Sequence, residues 1–145
     1  ASSCNTWIKL INFIIRLNYE GNIIMKEYNN LTNYQQEDFL EYEIMKYLHK
    51  VSQTTTRTQL AKYLVENVDS IPKDALKSKK SRKTGRYYQP FMNRLSFALT
   101  SLYKAGLIDH PKRGITVLSK AGQSINPNDE KRIHELVIQG WKKTV

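Results

Sequence analysis

Three groups of residues carry side chains at spacings that could do chemistry, and in each case it is the chemistry of holding a polyanion rather than of breaking a bond. The first lies in residues 103–122, YKAGLIDHPKRGITVLSKAG. Two short runs, Leu107 to His110 and Ile115 to Leu118, read as strands joined by Pro-Lys-Arg-Gly. Gly114 permits the unusual backbone angle of a tight turn, which puts Lys112 and Arg113 at its tip. A cation there can neutralise a phosphate, or it can simply keep the turn in water. The second group is KDALKSKKSRKTGR, residues 73–86, with seven basic residues and one acid. By default such a run is a solvated, mobile loop. Standing immediately before a helix, however, Lys77, Lys79, Lys80, Arg82, Lys83 and Arg86 could follow a phosphate backbone.

The third group sits on that helix, expected from Tyr88 to Ala105. Phe91, Leu95, Ala98, Leu99 and Leu102 repeat the i, i+4, i+7, i+8, i+11 pattern of a buried face, and Gly106 supplies the left-handed cap. The opposite face carries Gln89, Asn93, Phe97, Thr100 and Lys104, with Arg94 at its edge. Gln, Asn and Arg have the donor and acceptor geometry that reads base edges in a major groove, although each is also an ordinary surface residue. Phe97 is expected to pack under a flanking segment. Other chemistries lack their residues. The three histidines, His49, His110 and His134, are scattered, and the lone Cys4 cannot build a zinc site. The glycines form no phosphate-cradling motif. No catalytic residue, metal or cofactor is expected.

These residues must be positioned by a small scaffold. A chain of 145 residues has room for one domain with a core and an extra helix at each end. With 25% charged and 40% hydrophobic residues, its composition is that of a globular protein. A single cysteine points to a reducing, cytoplasmic setting. The net charge of +10 is one-sided: residues 1–72 hold seven basic against eight acidic residues, and residues 73–145 hold sixteen against five. Such asymmetry is the electrostatic footprint of a polyanion-binding surface, though solubility alone can produce it.

The remaining elements are helical. Residues 6–17, TWIKLINFIIRL, have polar residues at Lys9, Asn12 and Arg16, the spacing of one helix face, and are too short to span a bilayer. A second reading stands beside this one. Glu20-Gly21 can be encoded as GAAGGA, which resembles a ribosome-binding site ahead of Met25, so residues 1–24 are either an extra helix or translated leader. From Gln36 to Val51, Leu40, Ile44, Tyr47, Leu48 and Val51 form a helical stripe, with acids near its start that suit the helix dipole. Thr56-Arg-Thr-Gln59 has the form of a capping box opening a helix that buries Leu60, Ala61, Leu64, Val65 and Val68. Two short helices joined by the polar turn SQTTT are how a helix-turn-helix begins. The expected fold is therefore mainly α with a small β-hairpin, a winged helix-turn-helix with extra flanking helices. Its domain spans residues 25–126, and a C-terminal helix with a possible link to a further domain follows at 127–145.

The run NRLSFALTSLYKAGLIDHPKRGITVLSKAG, Asn93 to Gly122, also resembles the N-terminal winged-helix domain of Mrr-type, modification-dependent restriction enzymes. The shared pattern is an Asn-Arg pair, an aromatic, an Ala, a Leu-Lys-Lys-Ala-Gly-Leu-Leu segment, Pro-x-Arg-Gly and Thr-x-x-Gly. Ser119 stands where the family has Thr, and the lysine-rich insert before the third helix is unusual. The resemblance implies a module that binds double-stranded DNA, the target-recognition part of a restriction system acting on modified DNA, tethered to a nuclease of the PD-(D/E)xK type. Nothing in these residues supplies that nuclease. Glu-x-Lys does not occur, and the Asp-x-Lys at Asp129 to Lys131 lies at a helix start, where Asn128, Asp129 and Glu130 serve as caps. The module is thus expected to be no enzyme itself, with a nuclease domain in cis, a homodimer partner and no membrane association to be considered. Two alternatives use the same fold: a free-standing transcription regulator, dimerising through residues 6–17 or 128–142, and a winged helix that binds protein instead of DNA.

Overall fold

The computed structural model describes residues 15–17, 23–25 and 27–143. At the N-terminal end, β1 (Ile15–Leu17) pairs antiparallel with β2 (Ile23–Met25), so Ile15 opposes Met25. These three residues are strand where the expected helix over 6–17 would have ended. The rest of that helix lies outside the described residues.

Helix α1 (Asn33–Val51) starts three residues earlier than its apolar stripe suggests, because Thr32 closes a capping box. The Gln35 amide donates to the Thr32 hydroxyl, and the Thr32 amide donates to Oε1 of Gln35. Its inner face is Phe39, Leu40, Ile44, Met45 and Leu48, and the helix stops at Ser52, whose φ of 51° is left-handed. Strand β3 (Thr55–Thr56) follows, then α2 (Arg57–Asn67). The expected capping box at Thr56 and Gln59 is in place, and Leu60, Ala61, Leu64 and Val65 face inward.

Within the basic stretch, which is otherwise turn and irregular backbone, two residues form a strand. Lys79–Lys80 (β4) pairs with Tyr87–Tyr88 (β5), and the connecting turn is closed by backbone bonds from Ser81 to the Arg86 carbonyl and from Gly85 to the Ser81 carbonyl. Gly85, at φ 69°, permits that turn. This hairpin leads directly into α3 (Pro90–Lys104), with proline at a first-turn position where its missing amide costs nothing. Helix α3 buries Phe91, Leu95, Ala98, Leu99 and Leu102, as its periodicity requires. It ends in the expected way: Gly106 has φ 79°, and the Leu107 amide reaches back to the Leu102 carbonyl.

The second hairpin, β6 (Ile108–Asp109) and β7 (Ile115–Leu118), acquires a third strand that the sequence did not announce. Thr55 pairs with Thr116 and Thr56 with Ile115, giving the sheet order β3-β7-β6. Thr55 and Thr116 are both buried, a β-branched cross-strand pair that ties the hairpin to the start of α2. Helix α4 (Lys120–Ser124) is also new. Ser119 caps it by accepting from the Gly122 amide, so serine does the work of the family's threonine there. Gly122 lies against the Leu107 carbonyl with no room for a Cβ, and its own carbonyl meets Nε2 of His49 at 2.8 Å.

Helix α5 (Glu130–Lys143) is opened by Asp129, whose carboxylate accepts from the Arg132 amide. It lays Ile133 and Val137 on α1 and α3. Gly140 makes the closest approach: a Cβ there would lie 2.4 Å from the Lys104 carbonyl oxygen and 2.8 Å from the Ala105 nitrogen. Backbone cannot give way as a flexible side chain can. Gly140→Ala should therefore destabilise the protein by about 1–3 kcal/mol, against the gain in helix propensity that alanine ordinarily brings. Thermal melts by circular dichroism, with exposed Gln139→Ala as the propensity control, would show a lowered Tm for Gly140→Ala alone. An equal or higher Tm would contradict the packing described.

Candidate nucleic-acid interface

The interface is built on α3. Successive residues turn by about 100° on a helix, so burying Phe91, Leu95, Ala98 and Leu102 turns Asn93 and Thr100 outward. Other elements are anchored beside this strip. From α2, Nη1 of Arg57 donates to the Ser96 hydroxyl at 2.7 Å, which holds the first residue of α2 against the middle of α3. From the β6–β7 hairpin, His110 stacks on Tyr103 with ring centroids 5.2 Å apart. Nδ1 of the same histidine lies 3.1 Å from the Ile115 carbonyl, which fixes the ring to its own hairpin. The turn beyond it places Lys112 and Arg113 in solvent, closed by a bond from the Ile115 amide to the Lys112 carbonyl, with Gly114 at φ 81°.

The β4–β5 hairpin enters at the other end of α3. Its attachment is Gln89, whose amide nitrogen donates to the Leu76 carbonyl at 2.7 Å. Behind it, Lys73 is turned inward onto the Val65 and Glu66 carbonyls at the end of α2. Lys77, Lys79, Lys80, Arg82, Lys83 and Arg86 are all exposed, and among the described residues none of them is paired with a carboxylate. Tyr87 and Tyr88 stand beside them, 71% and 44% exposed. Cations interleaved with exposed aromatic rings suit a nucleic acid, which offers phosphates and ring faces together.

Three residues expected on the reading face are engaged elsewhere. Gln89 holds the hairpin, as described. Arg94 lies a quarter turn from Asn93, on the side facing α1, where Nη1 meets Oε2 of Glu37 at 2.6 Å and the guanidinium stacks 4.8 Å from the Phe97 ring centroid. Lys104 lies over the Trp141 ring of α5 at 4.7 Å. All three are half-buried, and the geometry gives them positioning roles. Phe97, expected to be covered by a flanking segment, is 46% exposed and borders a cavity beside α5. Conversely, Arg57, Ser96, Tyr103, His110, Tyr87 and Tyr88 belong to this surface and were not singled out from sequence. For Arg57 a signal existed: it directly follows a capping residue, where a helix N-terminus already favours anions.

The flank of α3 that carries Arg94 faces acidic residues of α1. Glu41 is buried, and desolvation, with Asp38 and Glu37 nearby, pushes its carboxyl up to about 9; burial likewise raises Glu130 to about 7. Each carboxyl keeps its proton to a higher pH in the folded chain than in the unfolded one, Glu130 to about 7 and Glu41 to about 9. Their contribution is complete below the ordinary carboxyl value near 4.5 and declines as pH rises toward 9. Stability should accordingly fall between pH 5 and pH 9, and Glu41→Gln should flatten much of that slope. Melting temperatures of both proteins across the range check this; parallel curves would contradict it.

The Mrr N-terminal domain family model matches residues 38–127, from the first turns of α1 to just beyond α4. No curated protein and no solved structure matches the chain. Because the family model spans more than half of the sequence, including α2, α3 and both basic hairpins, the chain belongs to the Mrr N-terminal domain family.

Proposed function

We propose that this chain is a DNA-binding module of the winged-helix type, the target-recognition part of a restriction system that acts on modified DNA. One observation carries the reading. The exposed strip of α3 is flanked by Arg57 and by two hairpins whose cations pair with no carboxylate among the described residues. With the β4–β5 hairpin taken as an insertion between α2 and α3, the element order helix, strand, helix, helix, strand, strand and the sheet order β3-β7-β6 fit a winged helix in which α3 is the recognition helix and β6–β7 the wing. Membership of the Mrr N-terminal domain family supports the restriction role.

In this reading the division of labour follows from side-chain chemistry. Asn93 offers the paired donor and acceptor that recognise adenine, and Ser96 and Thr100 extend the strip along the groove. Arg57, the β4–β5 cations and the wing contact phosphates, which fixes register without reading sequence. The module itself performs no chemistry; a nuclease joined to it would. Its setting would be the cytoplasm, where its target DNA lies.

If Lys112 and Arg113 each neutralise one phosphate, replacing both with Ala removes about 1.8 from the slope of log affinity against log salt for duplex DNA. The Tm should hold, since Pro111 and Gly114 still shape the turn and neither lysine nor arginine touches the core. Fluorescence anisotropy titrations at several salt concentrations measure the slope. An unchanged slope in a variant of unchanged Tm would leave the two charges as solvating groups and remove the wing from the interface.

A further inference from the structure

Beside the Asn93 strip, on the flank of α3 that turns toward α1 and α5, these three helices line a cavity of about 710 Å³. Its walls are of two kinds. Tyr34, Phe97, Ile138 and Trp141 present aromatic and aliphatic surface, while Glu37, Asp38 and Glu41 bring three carboxyls from little more than one turn of α1. Two of the three have partners. Glu37 holds Arg94, and Asp38 lies 3.7 Å from Nδ1 of His134. Glu41 is only 1% exposed, yet its Oε1 has no hydrogen-bond partner among the described residues.

A buried polar atom left unsatisfied costs on the order of 1–3 kcal/mol, and native folds rarely leave one facing open space. The local charge is unbalanced in the same direction. Once Glu41 gives up its proton, three carboxylates face one guanidinium and one imidazole, so what the ionised cavity lacks is a donor carrying positive charge. The aromatic walls suit such a guest. Phe97 already faces the Arg94 guanidinium and Trp141 the Lys104 ammonium, at 4.8 Å and 4.7 Å.

We infer that this cavity binds a primary alkylammonium, its charged head donating to Glu41 and its alkyl chain lying against Phe97, Ile138 and Trp141. A neutral alcohol of the same length would supply the apolar contact without the charge. An anion would meet the carboxyls. The ammonium could belong to a free amine or to a lysine side chain of a polypeptide, and the two share this chemistry. The inference does not depend on DNA binding, since none of the residues that line the cavity is among those assigned to DNA.

Because Glu41 holds its proton near neutrality, an ammonium that pairs with the carboxylate must displace it. Affinity should rise by roughly tenfold per pH unit between pH 7 and pH 9. The other groups facing Glu41 are Glu37 and Asp38 from α1, Arg94 from α3 and His134 from α5. A His134→Asn background removes the imidazole from the site.

The test is a ¹⁵N-resolved NMR titration of the full chain with n-butylammonium, 1-butanol and Nα-acetyl-lysine amide. The expected result is saturable shifts at Phe97, Ser101, Ile138 and the Trp141 indole with n-butylammonium. Affinity should be at least tenfold weaker for 1-butanol and for the Glu41→Gln variant. Tighter binding of the capped lysine than of n-butylammonium would mark a polypeptide side chain as the occupant, and weaker binding a free amine. Equal response to n-butylammonium and 1-butanol, or full affinity in Glu41→Gln, would overturn the proposal. Should that variant fold poorly, the unaltered protein still decides the matter: an affinity that does not change from pH 7 to pH 9 overturns it as well.

Discussion

The angular division of α3 is the constraint on which the other features rest. Phe91, Leu95, Ala98 and Leu102 are each buried, and that row can face α1 and the core in only one rotation of the helix. Once it is fixed, each remaining position has its surroundings assigned. Asn93 and Thr100 turn to solvent. Ser96 meets Arg57, Arg94 meets Glu37, and Ser101 accepts from the Trp141 indole of α5. A rotation of one residue would bury Asn93 and Arg94 while exposing leucines, so the apolar row and the polar strip specify one another.

Charge follows the same division. The cations of the two hairpins lie with the Asn93 strip, and the carboxyls of α1 line the cavity bordered by α3 and α5. Among the described residues no carboxylate pairs with the hairpin cations, so the field of the basic side is directed outward. It also explains why Arg94 is unlike its neighbours in the sequence. A guanidinium on the boundary is drawn to the nearest carboxylate, and at 2.6 Å from Glu37 it joins α1 to α3.

Much of this was legible in the sequence, for identifiable reasons. Helices α1, α2 and α3 have long apolar stripes, and their periodicity survives in the fold. The Thr56 capping box, the Gly106 stop and the Pro111 to Gly114 turn are local signals set by a few adjacent residues, and each was found where expected. What escaped is what depends on distant partners. Thr55–Thr56 looks like a polar turn because two residues are too few to show a period, and only β7 makes them a strand. The β4–β5 hairpin has no apolar face, and lysine-rich runs seldom favour strands, so its order rests on backbone pairing and Gly85. Arg94 reads as a surface residue until Glu37, 57 positions earlier, is placed beside it. Glu41 lies three residues before Ile44 and seven before Leu48, on the buried stripe of α1, yet as an acid near the helix start it reads as a partner of the helix dipole.

The central claim is that DNA is held by the Asn93 strip of α3 together with Arg57 and both hairpins. Chemical-shift mapping of the ¹⁵N-labelled protein against a short duplex tests it most directly. The account predicts that the amides of Arg57, Asn93, Ser96 and Thr100, and those of residues 79–88 and 110–114, shift together in fast response to added duplex, while Tyr34, Ile138 and Trp141 remain in place. Shifts confined to α1 and α5, or none at a salt concentration where the basic surface is unscreened, would contradict it.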